Sequence, residues 1–338
     1  MRTLSPARVA GALAGLLVAA GIALYLIPSS DYLLLPDRAH PVAPLVHVQG
    51  GRAPAGPGGI YFVDVFERRA NMLESIFPWI RSGATLVPAS LIVPPGVSDA
   101  AVRRADLREM TMSQRVAAAV ALRRLGYHVV ARPDGVIVSA VELGSHAVGK
   151  LQATDVIQMV NGASTPTIAR LRTVLSRARP GDVVTLGVLR GGAHLVVRVK
   201  TVADPANPQR AIVGFAPDQS ALIHLPLKVQ IDAGNVGGPS AGLAFALQVL
   251  EELGRQVDRG YRVAATGQME LDGTVAAIGG VKQKTFGARE AHADVFLVPA
   301  AGDNAAEARR YAHGLRIIAV TSFPQALRAL ATLPPKGK

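Results

Sequence analysis

Two short motifs in the second half of the chain combine a serine with a lysine. Ser240 lies in the run GGPSAG (237–242), and Lys284 closes the run GGVKQK (279–284) about forty residues later. A serine hydroxyl becomes a nucleophile at an amide carbonyl when a nearby base takes its proton, and a lysine amine can be that base. If the fold brings the two side chains together, the motifs predict hydrolysis of peptide bonds.

The elements around Ser240 are predicted to hold it at the start of a helix. An apolar strand over 227–231 is followed by a loop of small residues and then by a strongly helical run from Ser240 onward. Backbone N–H groups at a helix N-terminus lack partners within the helix and can donate to an oxyanion. We therefore assign Gly238 and Pro239 a supporting role in the loop that presents the serine. For this motif alone, a serine that merely caps a helix is the simpler interpretation.

Lys284 and its neighbour Lys282 are predicted to lie at the start of a second helix. The positive end of the helix dipole disfavours cations there, so two lysines have no evident structural use at this position. A lysine that acts as a base must be neutral near physiological pH, and burial lowers its pKa from the ordinary value of ~10.4. Two solvated lysines are the alternative interpretation of this motif alone.

The two motifs and the sequence around them resemble the proteolytic domain of the Lon family of Ser-Lys peptidases. The resemblance runs over about 225–330 and rests on PSAG with the alanine-rich helix after it, on TGQMELDGTVAAIGGVKQK, and on FLVPA followed by a helix and RIIAV. It implies that Ser240 attacks the scissile carbonyl while Lys284 takes its proton, and that Lys282 stays exposed.

The same resemblance implies further residues of the site. Thr266, in the T-G-Q triplet, corresponds to a threonine that helps to hold the lysine amine, and N–H groups around 238–240 would hold the oxyanion. Many family members carry an acidic residue three positions before the serine, whereas this chain has Gly237 there. The nearby Asp232 and Asn235 are not equivalent to it.

Residues 127–203 are predicted to form short strands around helices. The run GVIVSAVELGSHAVGKLQATDVIQMVNGAST resembles a PDZ domain of the kind associated with proteases. PDZ domains bind extended peptides by adding a strand to a sheet edge. The loop and strand that would bind the peptide comprise Pro133, Asp134, Gly135, Val136 and Ile137. The alternative is a module that only spaces the catalytic domain.

The N-terminal segment is apolar enough to indicate a membrane anchor. Residues 9–27 carry no charge and come close to the ~20 apolar residues that cross the hydrocarbon core as a helix. Arg2 and Arg8 precede this segment, so the positive-inside rule places the N-terminus in the cytoplasm. We expect an uncleaved signal anchor in the plasma membrane, with the bulk of the protein extracytoplasmic. A cleaved signal peptide is the alternative, but no A-x-A site follows the apolar run.

The composition argues against several other classes of protein. The net charge is +12, but aromatic residues make up 4% of the chain and the arginines are scattered, so we expect no nucleic-acid partner. The chain contains no cysteine, and its histidines lack the spacing of a zinc site such as H-E-x-x-H, so we expect neither a metal nor a cofactor. No G-x-x-x-x-G-K-[ST] motif is present, which predicts activity that is independent of ATP.

These observations together give a fold class and a domain order. We predict an α/β (α+β) Lon-type proteolytic domain over 204–338 and a PDZ-like, β-rich domain over 127–203. Residues 1–30 would form a cytoplasmic stub and a transmembrane helix, and the strand and helix in 31–126 could belong to the Lon-like fold. The predicted function is that of a membrane-anchored serine endopeptidase for protein or peptide substrates. The resemblance also implies a homo-oligomer, a hexameric ring.

Two rival functions stay open at this point. Residues 238–242 also fit the G-x-S-x-G elbow of α/β-hydrolases, with Asp294 and His313 following in the order Ser, Asp, His. That elbow needs its strand to run directly into the motif, whereas AGNVG intervenes here. The second rival is a non-catalytic, peptide-binding envelope protein with a degenerate peptidase fold.

Overall fold

The computed structural model describes residues 6–52, 56–93, 98–334 and 336 of the chain. Its α-helices are α1 (Pro6–Leu26), α2 (Met72–Ile76), α3 (Ala89–Ile92), α4 (Asp99–Arg124), α5 (Ile168–Leu175), α6 (Gly242–Glu252), α7 (Val281–Glu290), α8 (Asn304–Tyr311) and α9 (Phe323–Ala331). The strands are β1 (Pro28–Pro36), β2 (His40–Pro41), β3 (Val46–Val48), β4 (Gly59–Phe62), β5 (Val65–Asn71), β6 (Thr85–Pro88), β7 (Val130–Val141), β8 (Val156–Val160), β9 (Ala163–Ser164), β10 (Val183–Arg190), β11 (Ala193–Lys200), β12 (Val202–Asp204), β13 (Asn207–Ile212), β14 (Phe215–His224), β15 (Val229–Ile231), β16 (Arg262–Ala265), β17 (Gln268–Met269), β18 (Val275–Ala276), β19 (Val295–Pro299) and β20 (Arg316–Val320).

The main hydrophobic core surrounds a five-stranded sheet in the order β2-β4-β16-β19-β20. β4, β16, β19 and β20 run parallel, and β2 pairs with β4 in the antiparallel sense. Successive side chains of a strand point to opposite faces of its sheet. Val263 and Leu297 pack in a cluster that includes α6, whereas Ala264 and Phe296 pack in a cluster that includes α7 and α8. Helices therefore cover both faces of the sheet, as parallel strands that are apolar on both sides require.

Chain segments from before and after the PDZ-like segment share this core. β3 pairs with β15, and β4 lies beside β16, so early and late strands are neighbours. α4 packs against α6 through the buried run 116–122, whose alanine side chains let the two helices approach closely. Residues 40–125 and 227–333 thus contribute to the same core, and the PDZ-like segment leaves it between α4 and β15.

The segment between α4 and β15 folds around a second core of its own. Its sheet has the order β11-β10-β8-β7-β14, with β9 paired to β8, and α5 packs on this sheet. The Asp155 carboxylate is fully buried and accepts hydrogen bonds from the Arg190 guanidinium at 2.7 and 2.6 Å. β14 continues to His224, so the sheet extends past residue 203.

The N-terminal part of the chain forms a smaller layer. α1 packs against α2, and β1 lies between β5 and β6 in a three-stranded antiparallel sheet. The prediction of a transmembrane helix is wrong, because no helix among the described residues is both long enough and apolar enough to cross a membrane. Such a helix needs ~20 apolar residues. The predicted single-pass location in the plasma membrane, with an extracytoplasmic bulk, is overturned by the same finding.

Candidate active site

Ser240 lies in the connection between β15 and α6, two residues before the helix begins. The loop around it is fixed by α4. The Gly238 N–H donates to the backbone carbonyl of Asp106 at 2.9 Å, and the Ser113 hydroxyl donates to the carbonyl of Pro239 at 2.9 Å. A helix from before the PDZ-like segment therefore anchors the loop that presents the serine.

The contact with α4 explains why the loop has glycine three positions before the serine. A Cβ atom on Gly237 would lie 2.6 Å from the Cβ of Asp106, closer than two side chains can approach. An acidic side chain at position 237 would therefore collide with α4. Gly238, the next residue, has a φ of +79°, a conformation that favours glycine.

Thr266 is fully buried directly after β16, and it contacts the backbone of the serine. Its hydroxyl donates to the Ser240 carbonyl at 3.1 Å, and the Gly267 N–H donates to the same oxygen at 2.8 Å. No hydrogen bond between Thr266 and Lys284 occurs in the described part of the chain. The threonine thus lies beside the serine, but its contact differs from the one that the resemblance implies.

Lys284 lies in the first turns of α7, and its amine reaches the serine hydroxyl. The Nζ atom is 2.7 Å from the Oγ of Ser240, which is hydrogen-bond distance. The lysine is buried, with 4% of its surface exposed, whereas Ser240 is half-buried and accessible from solvent. The helix begins after Gly280, whose carbonyl accepts the Lys284 N–H at 3.0 Å.

Burial lowers the pKa of the Lys284 amine from its ordinary value to about 8. The carboxylates of Asp64 and Glu67 act in the opposite direction, because their negative charges favour the ammonium form. With a pKa near 8, an appreciable fraction of the amine is neutral at physiological pH and can accept a proton. The pair can therefore convert the serine hydroxyl into a nucleophile.

Asp64 and Glu67 are residues of this site that sequence reasoning missed. They follow β4, and the carboxyl end of β4 lies beside that of β16, where Thr266 begins the next connection. Burial raises the pKa of both carboxyl groups, and a neighbouring carboxylate adds to the effect in each case. The available signal was the position of Asp64 directly after a buried strand, whereas Glu67 lies within β5 and is exposed.

The backbone N–H groups of Ser240 and Ala241 are free to hold an oxyanion. Neither N–H has a hydrogen-bond partner among the described residues. The donor that we expected at Gly238 is engaged by Asp106, and Pro239 has no N–H. The free donors of this loop therefore lie closer to the helix than the sequence indicated.

The resemblance implied that Lys282 is exposed, but the structure shows it half-buried. Its amine donates to the carbonyl of Ala84 at 2.7 Å, and the side-chain amide of Gln283 donates to the carbonyl of Gly83 at 3.0 Å. Both acceptors lie in the turn before β6. Lys282 thus attaches the N-terminal sheet to the helix that carries Lys284.

The residues of the alternative hydrolase triad are not brought together. The Asp294 carboxylate accepts hydrogen bonds from the Lys336 amine at 2.7 Å, and the Ser240 hydroxyl contacts Lys284. His313 is exposed in the turn after α8. Within the described ranges, no hydrogen bond links Asp294 or His313 to the serine.

β7 contains all the predicted peptide-binding residues, namely Pro133, Asp134, Gly135, Val136 and Ile137. It is an interior strand, because Val136 pairs with β14 on one side and with β8 on the other. A peptide adds to a strand through a free edge, and β8 occupies the second edge of β7 only at Val136 and Ile137. Peptide binding by residues 133–137 stays a prediction. β14 ends this sheet, and its outer edge has no strand partner in the part of the chain that the structure describes.

One group of side chains has the composition of a metal site. Asp37, His40 and Asp64 bring potential ligand atoms within 4.8 Å of one another, and all of them are only partly buried. The His40 Nε2 lies 3.6 Å from Asp37 and 3.9 Å from Asp64, which are the contacts of a histidine paired with carboxylates. Both separations exceed hydrogen-bond distance, and the Asp64 Oδ1 atom has no hydrogen-bond partner among the described residues.

Comparisons with known proteins assign two domain families to this chain. Residues 212–331 match the Lon protease (S16) C-terminal proteolytic domain, and residues 123–201 match the PDZ domain. The chain therefore carries a Lon-type serine peptidase domain together with a PDZ domain. The resemblance to these two families is thereby confirmed.

Curated relatives of the chain are Lon proteases. Lon protease 2 of Bacillus subtilis (strain 168) is 32% identical over 124 residues, which cover 36% of this chain and 21% of that protein. The Lon protease of Citrifermentans bemidjiense is 38% identical over 85 residues, which cover 25% of this chain and 11% of that protein. The chain thus spans about a fifth or less of the length of these relatives.

Among solved structures, the PDZ domain of an SdrC-like protein from Listeria innocua aligns with 26% of this chain and 97% of that chain. The sequence identity is 24% and the TM-score is 0.24.

Proposed function

We propose that this chain is a serine endopeptidase that cleaves protein or peptide substrates with Ser240 as nucleophile and Lys284 as general base. The observation that supports this most strongly is the 2.7 Å separation between the buried Lys284 Nζ and the Ser240 Oγ. A buried amine with a pKa of about 8 is suited to take a proton from a hydroxyl near neutral pH. The match to a Lon-type proteolytic domain supports the same roles.

The proposed reaction begins when the neutral Lys284 amine takes the Ser240 proton as Oγ bonds to the scissile carbonyl carbon. The carbonyl oxygen becomes an oxyanion, which accepts hydrogen bonds from the N–H groups of Ser240 and Ala241. The Lys284 ammonium then gives its proton to the leaving amine as the C–N bond breaks, which leaves an acyl ester on Ser240. Lys284 then takes a proton from a water molecule as the water oxygen bonds to the ester carbonyl carbon. The ammonium returns this proton to the Ser240 Oγ as the C–Oγ bond breaks and the acyl group leaves as a carboxylic acid.

Hydrolysis by this chain is proposed to be independent of ATP. Its 338 residues contain no phosphate-binding loop motif. Peptide segments that are already unfolded or flexible would then be the substrates. Cleavage of an unfolded protein at equal rates with and without magnesium and ATP would support this part of the proposal, and a several-fold stimulation by ATP would contradict it.

The PDZ domain is proposed to bind substrate or partner peptides at the outer edge of β14. That edge ends the sheet, and Pro217 lies in β14 without a strand on its outer side, as proline in edge strands commonly does. Peptides selected from an immobilised library by the full chain carrying Ser240→Ala should slow amide exchange in β14. Slower exchange confined to β7 would contradict this placement.

A homo-oligomeric ring of the full chain is also proposed, on the basis of the resemblance to Lon-type domains. Sedimentation of the full chain would test it. A sixfold multiple of the chain mass would support a hexamer, and a stable monomer would contradict it.

The peptidase assignment is tested by hydrolysis of a chemically unfolded protein. We expect Ser240→Ala and Lys284→Met to be inactive, and the exposed control Lys228→Met to match the wild type, with folding of each variant checked by circular dichroism. Activity that survives Lys284→Met but is lost in His313→Ala would favour the hydrolase triad. A wild-type chain that cleaves no substrate would favour a peptide-binding protein.

A further inference from the structure

A cavity lies at the end of the peptidase core that is remote from the dyad. It has a volume of about 940 Å³ and is lined by residues from the C-terminal ends of α4, α6 and α9 and from the loop after α6. Neither Ser240 nor Lys284 lines it. Because Ser240 precedes the opposite end of α6, and a helix rises 1.5 Å per residue, about 15 Å separates the cavity from the serine.

The floor of the cavity is apolar. Leu125, Leu250, Val257 and Leu327 line it, and all of them belong to the main core or pack against it. These side chains present apolar surface that an occupant with apolar groups would remove from water. Ligand sites commonly combine such a lining with a few polar groups that fix orientation.

The rim of the cavity is strongly basic, and among the residues that the structure describes no acidic one lines it. Its cationic residues are Arg124, Arg255, Arg259, Arg328 and Lys336. Such a rim attracts anionic groups and disfavours cationic ones.

Two of these cations already have partners within the molecule. The Lys336 amine binds the Asp294 carboxylate at 2.7 Å, and the Arg259 guanidinium donates to the Ala331 carbonyl at 2.6 Å. Across residues 6–52, 56–93, 98–334 and 336, no side-chain hydrogen bond or ion pair involves the other three, Arg124, Arg255 and Arg328.

Basic residues in the last turns of α4 and α9 also offset the dipoles of those helices. The helix dipoles account for a basic residue at the end of each of these helices. They do not explain why Arg124, Arg255 and Arg328, from three different elements, line the same apolar cavity. Guanidinium groups bind carboxylates through paired hydrogen bonds. The cavity is therefore complementary in charge and polarity to a peptide that carries acidic and apolar side chains.

We propose that this cavity is an exosite for an acidic, leucine-rich segment of a substrate protein. The proposal rests on the proposed peptidase function, because it makes the cavity a second docking point for a substrate. An extended chain covers ~3.3 Å per residue, so at least about five residues must separate the docked segment from the bond that is cleaved.

The test measures peptide binding to the full chain carrying Ser240→Ala, so that it does not depend on hydrolysis. The probe is a fluorescent peptide of alternating glutamate and leucine, and its control is a peptide of alternating lysine and leucine. We expect only the glutamate peptide to bind, with an affinity that falls as salt is added. Adding Arg124→Glu and Arg328→Glu should raise its Kd at least about tenfold.

The matched control carries Arg198→Glu and Arg310→Glu, which change the net charge equally at exposed positions away from the cavity. We expect its Kd to stay within about twofold of that of the parent chain. Equal binding of the two peptides, or an unchanged Kd in the cavity variant, would overturn the proposal. Binding of inorganic triphosphate with no binding of the acidic peptide would also overturn it, because the cavity would then accept small phosphate-bearing anions.

Hydrolysis of a short neutral peptide separates this proposal from the peptidase function. With Ser240 intact, the Arg124→Glu, Arg328→Glu chain should cleave that peptide at the wild-type rate while it fails to bind the acidic probe. If this variant is folded but neither cleaves the neutral peptide nor binds the acidic probe, the proposal that the cavity is separate from the active site is wrong. Intact binding of the acidic probe by a wild-type chain that hydrolyses nothing would refute the peptidase function and leave the binding site standing.

Discussion

The Lys284 amine and the Ser240 hydroxyl lie 2.7 Å apart although 44 positions separate them in the chain. α6, which follows the serine, packs on one face of the parallel sheet, whereas α7, which carries the lysine, packs on the other. The two side chains therefore meet beyond the carboxyl end of β16. We expect the reactivity of the pair to depend on burial of the lysine, because burial lowers the pKa of its amine. Measurements of rate against pH can test this dependence.

The rate of hydrolysis is expected to rise with pH through about 8, the pKa of the Lys284 amine. Only the neutral amine can take the serine proton, so kcat/KM should fall by about tenfold for each pH unit below that value. A profile of kcat/KM against pH measures this directly. Lys284→Arg, whose side chain stays protonated throughout, should be inactive at every pH, and a flat wild-type profile would argue against lysine as the base.

Asp64 is expected to set the position of that profile. Its carboxylate favours the ammonium form of Lys284, so Asp64→Asn should lower the pKa of the amine. The midpoint of the pH profile would then move to lower pH by at least roughly half a unit. Asp303→Asn serves as a control, because Asp303 is exposed and its side chain caps no helix. A midpoint that moves to higher pH, or that moves equally in the control, would be inconsistent with this role.

Gly237→Ala is expected to displace the loop that presents the serine. The new Cβ would lie 2.6 Å from the Cβ of Asp106 on α4, and overpacking of this kind costs about 1 to 3 kcal/mol. Both the free energy of unfolding in urea and kcat should fall. Gly279→Ala is the matched control, since nothing lies within 4 Å of its Cβ position. Similar losses of stability in the two variants would show that the approach of α4 does not matter.

Thr266→Val is expected to lower kcat more than it changes KM. The substitution removes the hydrogen bond to the Ser240 carbonyl, which contributes about 1 kcal/mol to stability, while it keeps the shape of the buried side chain. We expect kcat to fall by roughly tenfold as the serine loses its fixed position. Thr165→Val is the control, because the buried Thr165 hydroxyl has no hydrogen-bond partner in the described residues. The free energy of unfolding of this variant should equal or exceed that of the wild type. A kcat that equals the wild-type value would remove Thr266 from the site.

Local patterns in the sequence indicated Ser240 and a lysine at 282 or 284, and the resemblance to the Lon family selected Lys284. Ser240 and Lys284 each lie near the start of a helix after a glycine-rich turn, and the turn and the helix are both visible in the sequence. Strands of the parallel sheet could also be predicted from local patterns. VFLVP (295–299), for example, is a short, continuously apolar run.

The contacts between distant parts of the chain could not be predicted in this way. Asp106 precedes the PDZ domain, and no periodicity in the sequence indicates that it packs next to a loop at 237–240. Lys282 is half-buried for a similar reason, since its acceptor Ala84 belongs to a turn almost 200 positions earlier. Only the tertiary packing of the N-terminal sheet on α7 determines that contact.

The order of strands in the PDZ domain could not be predicted for a different reason. Alternation of apolar residues indicates that a segment is a strand, but it does not give the order of strands in a sheet. β7 is predicted as a strand from its apolar residues, and the structure places it between β8 and β14. The run Val213-Gly214-Phe215, a glycine between two apolar residues at the start of β14, was the available signal for the outer strand.

The role of Lys284 as the base for Ser240 is tested most directly by labelling the full chain with a serine-directed fluorophosphonate and mapping the adduct by mass spectrometry. We expect one adduct, on Ser240, that forms faster as the pH rises and reaches a plateau above about 8. In Lys284→Met, which should remain folded, we expect no adduct. Labelling of Ser240 at the wild-type rate in that variant, or labelling of a different serine, would contradict the proposed dyad.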